Sequence, residues 1–127
     1  MAIPQELFYA KTHEWVSLNE GVATVGITDF AQSQLSDLTF VELPEVGAEF
    51  KEGDEAAVVE SVKAAADIYA PVAGEVIEIN SKLEDAPELI NKDAFGAGWL
   101  FKLKMADESD VDTMMDADSY EELCPHE

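Results

Sequence analysis

The stretch Val58-Val59-Glu60-Ser61-Val62-Lys63-Ala64-Ala65-Ala66-Asp67-Ile68-Tyr69-Ala70-Pro71 decides how this chain folds. Two strand-like runs of similar length, 55–62 and 64–70, meet at Lys63. A tight turn belongs between them. Such turns normally draw on Gly, Asn or Asp, because their central residues often need positive φ. Here the centre is Val62-Lys63-Ala64. The competing reading is one alanine-rich helix over 55–70, which propensity favours and which Pro71 would end. The valine pairs fit strands better. On the strand reading, Lys63 is held out at a hairpin tip between small neighbours, where a second protein can reach its amine. A lone, presented lysine in so acidic a chain is a candidate for covalent modification.

Strands dominate on both sides of this hairpin. Residues 7–11 and 14–18 carry aromatic and branched side chains. Asn19-Glu20-Gly21 reads as a hairpin turn into a strand over 22–27, with Gly21 free to take positive φ. Thr28 or Asp29 can cap a short helix running to Asp37, with Phe30, Ala31 and Leu35 as its apolar side. A strand over 39–43 follows, ended by Pro44 and Gly47. Turns are expected at 51–54 and 71–74, strands at 75–79 and 99–104, and one helical turn at 87–91 with Pro87 at its start. Gly47-Ala48-Glu49-Phe50 and Gly74-Glu75-Val76-Ile77 weakly suggest two related halves.

The last twenty or so residues change character. Val111, Met114 and Met115 have helical spacing, and so do Tyr120, Leu123 and Cys124. Ser119-x-x-Glu122 has the pattern of a capping box. Two short amphipathic helices are therefore expected over about 107–124. With no low-complexity linker, residues 1–127 read as a single domain.

The chain has 127 residues, 47% of them hydrophobic, with 28 acidic and 7 basic side chains and a net charge of −21. All the basic residues are lysine. That balance argues against nucleic acid, which needs clustered Lys and Arg, and against an anionic membrane surface. It favours partners with basic surfaces. The single cysteine, Cys124, excludes an internal disulfide. The N-terminus has neither the pattern of a signal peptide nor the arginines of a mitochondrial presequence. A cytoplasmic location is expected, with a mature mitochondrial form that has lost its presequence as the alternative.

Enzyme chemistry finds little support. A Cys124–His126 nucleophile pair would sit at a chain end with no oxyanion donor to serve it. Asp116-Ala117-Asp118 starts like a calcium loop, but Tyr120 stands at position five and the required glycine is missing. The run 107–110 is better explained as charge favouring a helix N-terminus. There is no Gly-rich phosphate loop, and no metal site is expected.

Glu60-Ser61-Val62-Lys63-Ala64, followed by Asp67-Ile68-Tyr69-Ala70-Pro71-Val72-Ala73-Gly74-Glu75, resembles the lipoyl-lysine hairpin of the H proteins of the glycine cleavage system. His13-Glu14-Trp15, Val25-Gly26-Ile27-Thr28, Phe40-Val41-Glu42-Leu43-Pro44 and Gly98-Trp99-Leu100 match that family in order and similar spacing. The likeness covers almost the whole chain. It implies a flattened two-sheet β sandwich, the barrel-sandwich hybrid of lipoyl and biotinyl carriers, with short helices and a helical C-terminus. It implies a lipoyl hairpin at about 55–71, with lipoic acid in amide linkage to Lys63.

It also implies a monomeric, non-catalytic shuttle. A pyridoxal-phosphate glycine decarboxylase would load it with an aminomethyl group. A tetrahydrofolate-dependent aminomethyltransferase would unload it, and dihydrolipoyl dehydrogenase would reoxidise it. Lipoate-attaching enzymes would be further partners. A carbon bonded to both sulfur and nitrogen hydrolyses readily, so the loaded arm would need a cleft that excludes water. The resemblance associates Thr12, Glu14 and Asp67 with that holding site. Against this, Glu14 could be a solvated charge beside Trp15, Asp67 an outward polar strand residue, and Thr12 an ordinary strand-end threonine. Many relatives have a histidine in the short helix where this chain has Gln34. Two other readings fit the same residues: a relay passing its lipoyl group to other enzymes, and an acidic interaction module with Lys63 unmodified.

Overall fold

The structure is a computed structural model and describes residues 7–123. Its strands are β1 (Phe8–Tyr9), β2 (Glu14–Asn19), β3 (Val22–Ile27), β4 (Leu38–Glu42), β5 (Glu49–Phe50), β6 (Glu55–Ser61), β7 (Ala65–Tyr69), β8 (Gly74–Ile79) and β9 (Phe101–Met105). One sheet has six strands in the order β1-β2-β3-β9-β8-β5, and a second has three in the order β4-β6-β7. Every pairing is antiparallel. The fold is therefore mainly β, two sheets with short helices and a helical C-terminal end, as expected.

Alternation explains the layers. In β9, Phe101, Leu103 and Met105 are buried while Lys102 and Lys104 turn away from the core, the two-residue period of a half-buried strand. Val16, Val25, Val76 and Leu103 of the six-stranded sheet share one apolar cluster with Val41, Val59 and Ile68 of the three-stranded sheet. Each sheet thus covers the other's inner face. The β2–β3 turn uses Glu20 and Gly21 at φ 51° and 80°. Both central residues are left-handed, as in a type I′ hairpin.

Residues 55–70 are not a helix. β6 and β7 pair from Glu55↔Tyr69 to Glu60↔Ala65. Thr28 caps α1 (Asp29–Leu35), its Oγ1 accepting from the Ala31 amide at 3.2 Å. The helices α2 (Lys82–Asp85) and α3 (Leu89–Lys92) are pinned by Leu83 and Ile90, which expose no surface. Neither α2 nor β5 is foreseen in the sequence reading, for these short elements have too few residues to show a period. The segments at 47–50 and 74–77 lie side by side, with Glu49↔Glu75 and Phe50↔Gly74 in register.

The C-terminal part corrects two expectations. A 3-10 helix (Glu108–Thr113) and α4 (Ala117–Leu123) form, but Met114 and Met115 are outside both. Met115 instead exchanges backbone hydrogen bonds with Tyr9 at 2.8 and 2.9 Å, and this pairing overrides helical spacing. The capping box at Ser119 is replaced by a cap one turn earlier. Asp116 Oδ1 accepts from the Ser119 amide at 2.8 Å, and Asp116 O accepts from Tyr120 N at 3.0 Å. Cys124 and His126 lie outside the described residues.

Gly26 faces Trp15 across β2 and β3. A Cβ there would lie 2.6 Å from two carbons of the indole. The ring cannot move aside, since Trp15 Nε1 donates to Ile27 O at 2.9 Å and to Ala94 O at 3.0 Å and only 2% of the residue is exposed. Gly26→Ala is therefore expected to lower folding stability by about 1–3 kcal/mol through overpacking. Urea denaturation checks this; an unchanged midpoint would show that the indole has room to give.

Candidate functional site

Ser61 explains how the tip turns without Gly or Asn. Its Oγ accepts from the Lys63 and Ala64 amides at 3.1 and 3.0 Å and donates to Ala64 O at 3.1 Å. The Ser61 amide donates to the same carbonyl at 2.7 Å. One hydroxyl thus uses its donor and both acceptor sites on the local backbone. No residue of the tip takes positive φ. Lys63 is exposed, Val62 beside it is 82% exposed, and the flanking Ala64 and Ala65 are exposed. Among the described residues Lys63 Nζ forms no ion pair.

A cleft of about 630 Å³ opens where the β1–β2 turn meets the end of β7. Thr12 and Glu14 line it from the turn, Tyr69, Ala70 and Pro71 from β7 and beyond, and Met114 from the C-terminal segment. Lys11 and Glu52 are the other charged residues on its wall. Glu14 is only 1% exposed, so it is not a solvated surface charge. Thr12 Oγ1 donates to its Oε1, and the Tyr69 amide donates to its Oε2 at 3.3 Å. Burial pushes the Glu14 carboxyl above the usual glutamate range, outweighing the opposing pull of the Thr12 and backbone hydrogen bonds. A buried carboxylate with apolar neighbours is suited to receive a cation or a hydrogen-bond donor.

The structure brings Thr12 and Glu14 together but leaves Asp67 out of the cleft wall. Asp67 is exposed on β7, two residues before Tyr69 and so on the same strand face. It lies between the tip and the cleft. Gln34 is exposed on α1 and does not line the cleft. Sequence reasoning assigned no role to Tyr69 or Met114. Tyr69 lay inside the quoted motif, whereas Met114 was read only as part of a helical stripe.

Glu14 also makes stability depend on pH. Between the ordinary glutamate value of 4.5 and its raised value in the fold, the native state retains a proton that the unfolded chain has released. Stability therefore falls as pH rises through that window. Glu14→Gln cannot ionise, so its melting temperature relative to the parent chain is expected to climb from pH 4.5 upward and then level off. A difference that stays flat across the series would contradict the raised value.

Comparison with known proteins agrees with this architecture. Residues 7–127 match the family model described as glycine cleavage H-protein. The glycine cleavage system H protein of Thermotoga maritima is 56% identical over 119 residues, covering 94% of this chain and 96% of the relative. That of Thermus thermophilus is 53% identical over 127 residues, covering 100% and 99%. The crystal structure of a glycine cleavage system H protein from Mycobacterium marinum aligns with TM-score 0.86 and 36% identity over 93% of this chain and 95% of that one. With the two-sheet fold and matches along nearly its whole length, the chain belongs to the glycine cleavage H-protein family, the lipoyl carriers of glycine cleavage.

Proposed function

We propose that Lys63 carries lipoic acid in amide linkage and that the chain is a non-catalytic, monomeric shuttle of the cytoplasm. It takes an aminomethyl group from a pyridoxal-phosphate glycine decarboxylase to a tetrahydrofolate-dependent aminomethyltransferase, and then electrons to dihydrolipoyl dehydrogenase. The observation that carries this reading is a juxtaposition. An exposed amine at a hairpin tip shares its hairpin with Tyr69, and Tyr69 walls an apolar cleft around a buried carboxylate. When attached, the lipoyl dithiolane supplies a two-electron disulfide couple at the end of a flexible arm.

The chain's own residues supply access, holding and dryness. Ser61 fixes the tip without touching the Lys63 side chain, so a lipoate-attaching enzyme can approach Nζ freely. Amide formation removes that lysine's charge. Asp67 offers a carboxylate between the tip and the cleft for a protonated amine. Within the cleft, Glu14 accepts from that amine, and the positive charge draws the carboxyl back toward ionisation. Thr12 orients Glu14, and Met114, Pro71 and the Tyr69 side chain keep water from the held group.

Intact-mass measurement after treatment with a lipoate ligase tests the attachment. One lipoyl adduct is expected on the parent chain and none on Lys63→Arg, because a guanidinium is not the amine the ligase acylates. An adduct on Lys63→Arg, or a free amine in every treated parent sample, would overturn the assignment. For the holding role, Glu14→Gln should be lipoylated normally. It should lose its aminomethyl group to water about tenfold faster or more, the worth of a charge-assisted hydrogen bond. Equal lifetimes would remove Glu14 from the holding site.

A further inference from the structure

The turn that carries Thr12 and Glu14 is built around a left-handed histidine. Ala10 N donates to Glu14 O at 2.9 Å, His13 N donates to Ala10 O at 3.0 Å, and His13 itself takes φ 73°. That conformation is costly for a side-chain-bearing residue and persists only where the surroundings enforce it. The enforcement comes from far along the chain. His13 Nδ1 shares a hydrogen bond of 2.7 Å with the Tyr120 hydroxyl, which shares another of 2.6 Å with Thr28 Oγ1. The Thr28 amide donates to His13 O at 3.0 Å, so the same two neighbours grip both the ring and the backbone of His13.

Tyr120 is itself immobilised. It exposes no surface and stacks on Tyr9 with centroids 4.8 Å apart and planes 12° from parallel. Phe30 closes the other approach, 4.9 Å from the His13 ring. Burial lowers the pKa of His13, so the ring is neutral at neutral pH and suited to share a proton with a phenol. The helix α4 thus reaches the cleft without lining it.

We propose that Tyr120 is a positioning residue of the cleft: its hydroxyl, clamped between His13 and Thr28, holds the left-handed turn that sets Thr12 against Glu14. The consequence for an aminomethyl-bearing arm rests on the function proposed above; the coupling of Tyr120 to Glu14 does not.

Titration of the Glu14 carboxyl carbon by NMR in the unmodified chain tests the coupling directly. Lys11 and Glu52 are the other charged side chains on the cleft wall, and the variants leave both in place. Tyr120→Phe keeps the ring stack on Tyr9 and removes only the hydroxyl. It is expected to move the Glu14 midpoint away from that of the parent chain, upward where the Thr12 hydrogen bond that lowers it is lost and downward where water reaches the carboxyl. Adding His13→Asn to that variant should restore the parent midpoint, because Asn visits left-handed φ more readily than an unsupported His. A purely structural role for Tyr120 would not be rescued in this way. His13→Val, whose branched side chain disfavours φ 73°, should move the midpoint in the same direction as Tyr120→Phe does, with Tyr120 intact. An unmoved midpoint in Tyr120→Phe, or a moved one that His13→Asn fails to restore, overturns the proposal.

Lifetimes of the aminomethyl-loaded forms separate this inference from the function it rests on. Tyr120→Phe is expected to shorten the lifetime by about 3- to 10-fold, the worth of one neutral hydrogen bond. A moved midpoint with lifetimes unchanged in both Tyr120→Phe and Glu14→Gln upholds the coupling and removes the holding role. A shortened lifetime in Glu14→Gln alone, with the midpoint unmoved in Tyr120→Phe, does the reverse.

Discussion

Keeping one carboxylate out of water where two sheets meet is the constraint on which the site depends. Removing an ionised group from solvent costs several kcal/mol unless partners replace the water it loses. Glu14 begins β2 in the six-stranded sheet, and the amide that reaches it belongs to Tyr69 at the end of β7 in the three-stranded sheet. Its other partner, Thr12, sits in the turn before β2. Neither sheet alone could build this environment. The sandwich is therefore part of the site as well as its support.

The chain solves three turns in three ways, and the differences suit what each turn carries. Glu20 and Gly21 make a two-residue hairpin by adopting left-handed backbone. The 10–14 turn uses a left-handed histidine held by a distant tyrosine, which ties it to the body of the protein. The Lys63 tip relies on the Ser61 hydroxyl for its turn contacts. The exposed lysine tip is thus stabilised by its own neighbours. A cleft wall gains from a turn locked by tertiary contacts.

Ion pairs contribute little to holding the fold. Among the described residues there is one, Lys102 with Glu78 at 3.6 Å, both partly exposed, and Lys102 also lies 5.1 Å from the Trp99 ring. Exposed pairs of this kind are worth at most about 1 kcal/mol. Apolar burial between the sheets and the backbone pairing of their strands carry the stability instead. The net charge of −21 weakens the compact state through self-repulsion. The same charge favours encounter with basic surfaces over a distance set by ionic strength.

Local chemistry made much of this legible. The strand-like runs at 22–27 and 99–104, the cap at Thr28 and the glycine at 21 each act within a few residues, so a linear reading reaches them. The β-branched pairs around Lys63 outweighed an alanine-rich helical alternative for the same reason. Where the reading fell short, the deciding partner was distant. Met115 left its helical spacing to pair with Tyr9. β5 exists because β8 offers it an edge, and α2 because the core accepts Leu83. Asp67 and Glu14 looked alike as motif carboxylates, yet one is exposed and the other sealed. The residues by themselves determined most of the strands and the lysine at a hairpin tip, since periodicity and turn chemistry are properties of neighbours along the chain, whereas the arrangement of those strands in two sheets was implied by the family resemblance. Only the tertiary structure decided that Thr12, Glu14, Tyr69 and Met114 share one cleft, and that Tyr120 reaches the neighbouring turn through His13. Burial and through-space hydrogen bonding join residues more than a hundred positions apart, and no local pattern encodes that distance.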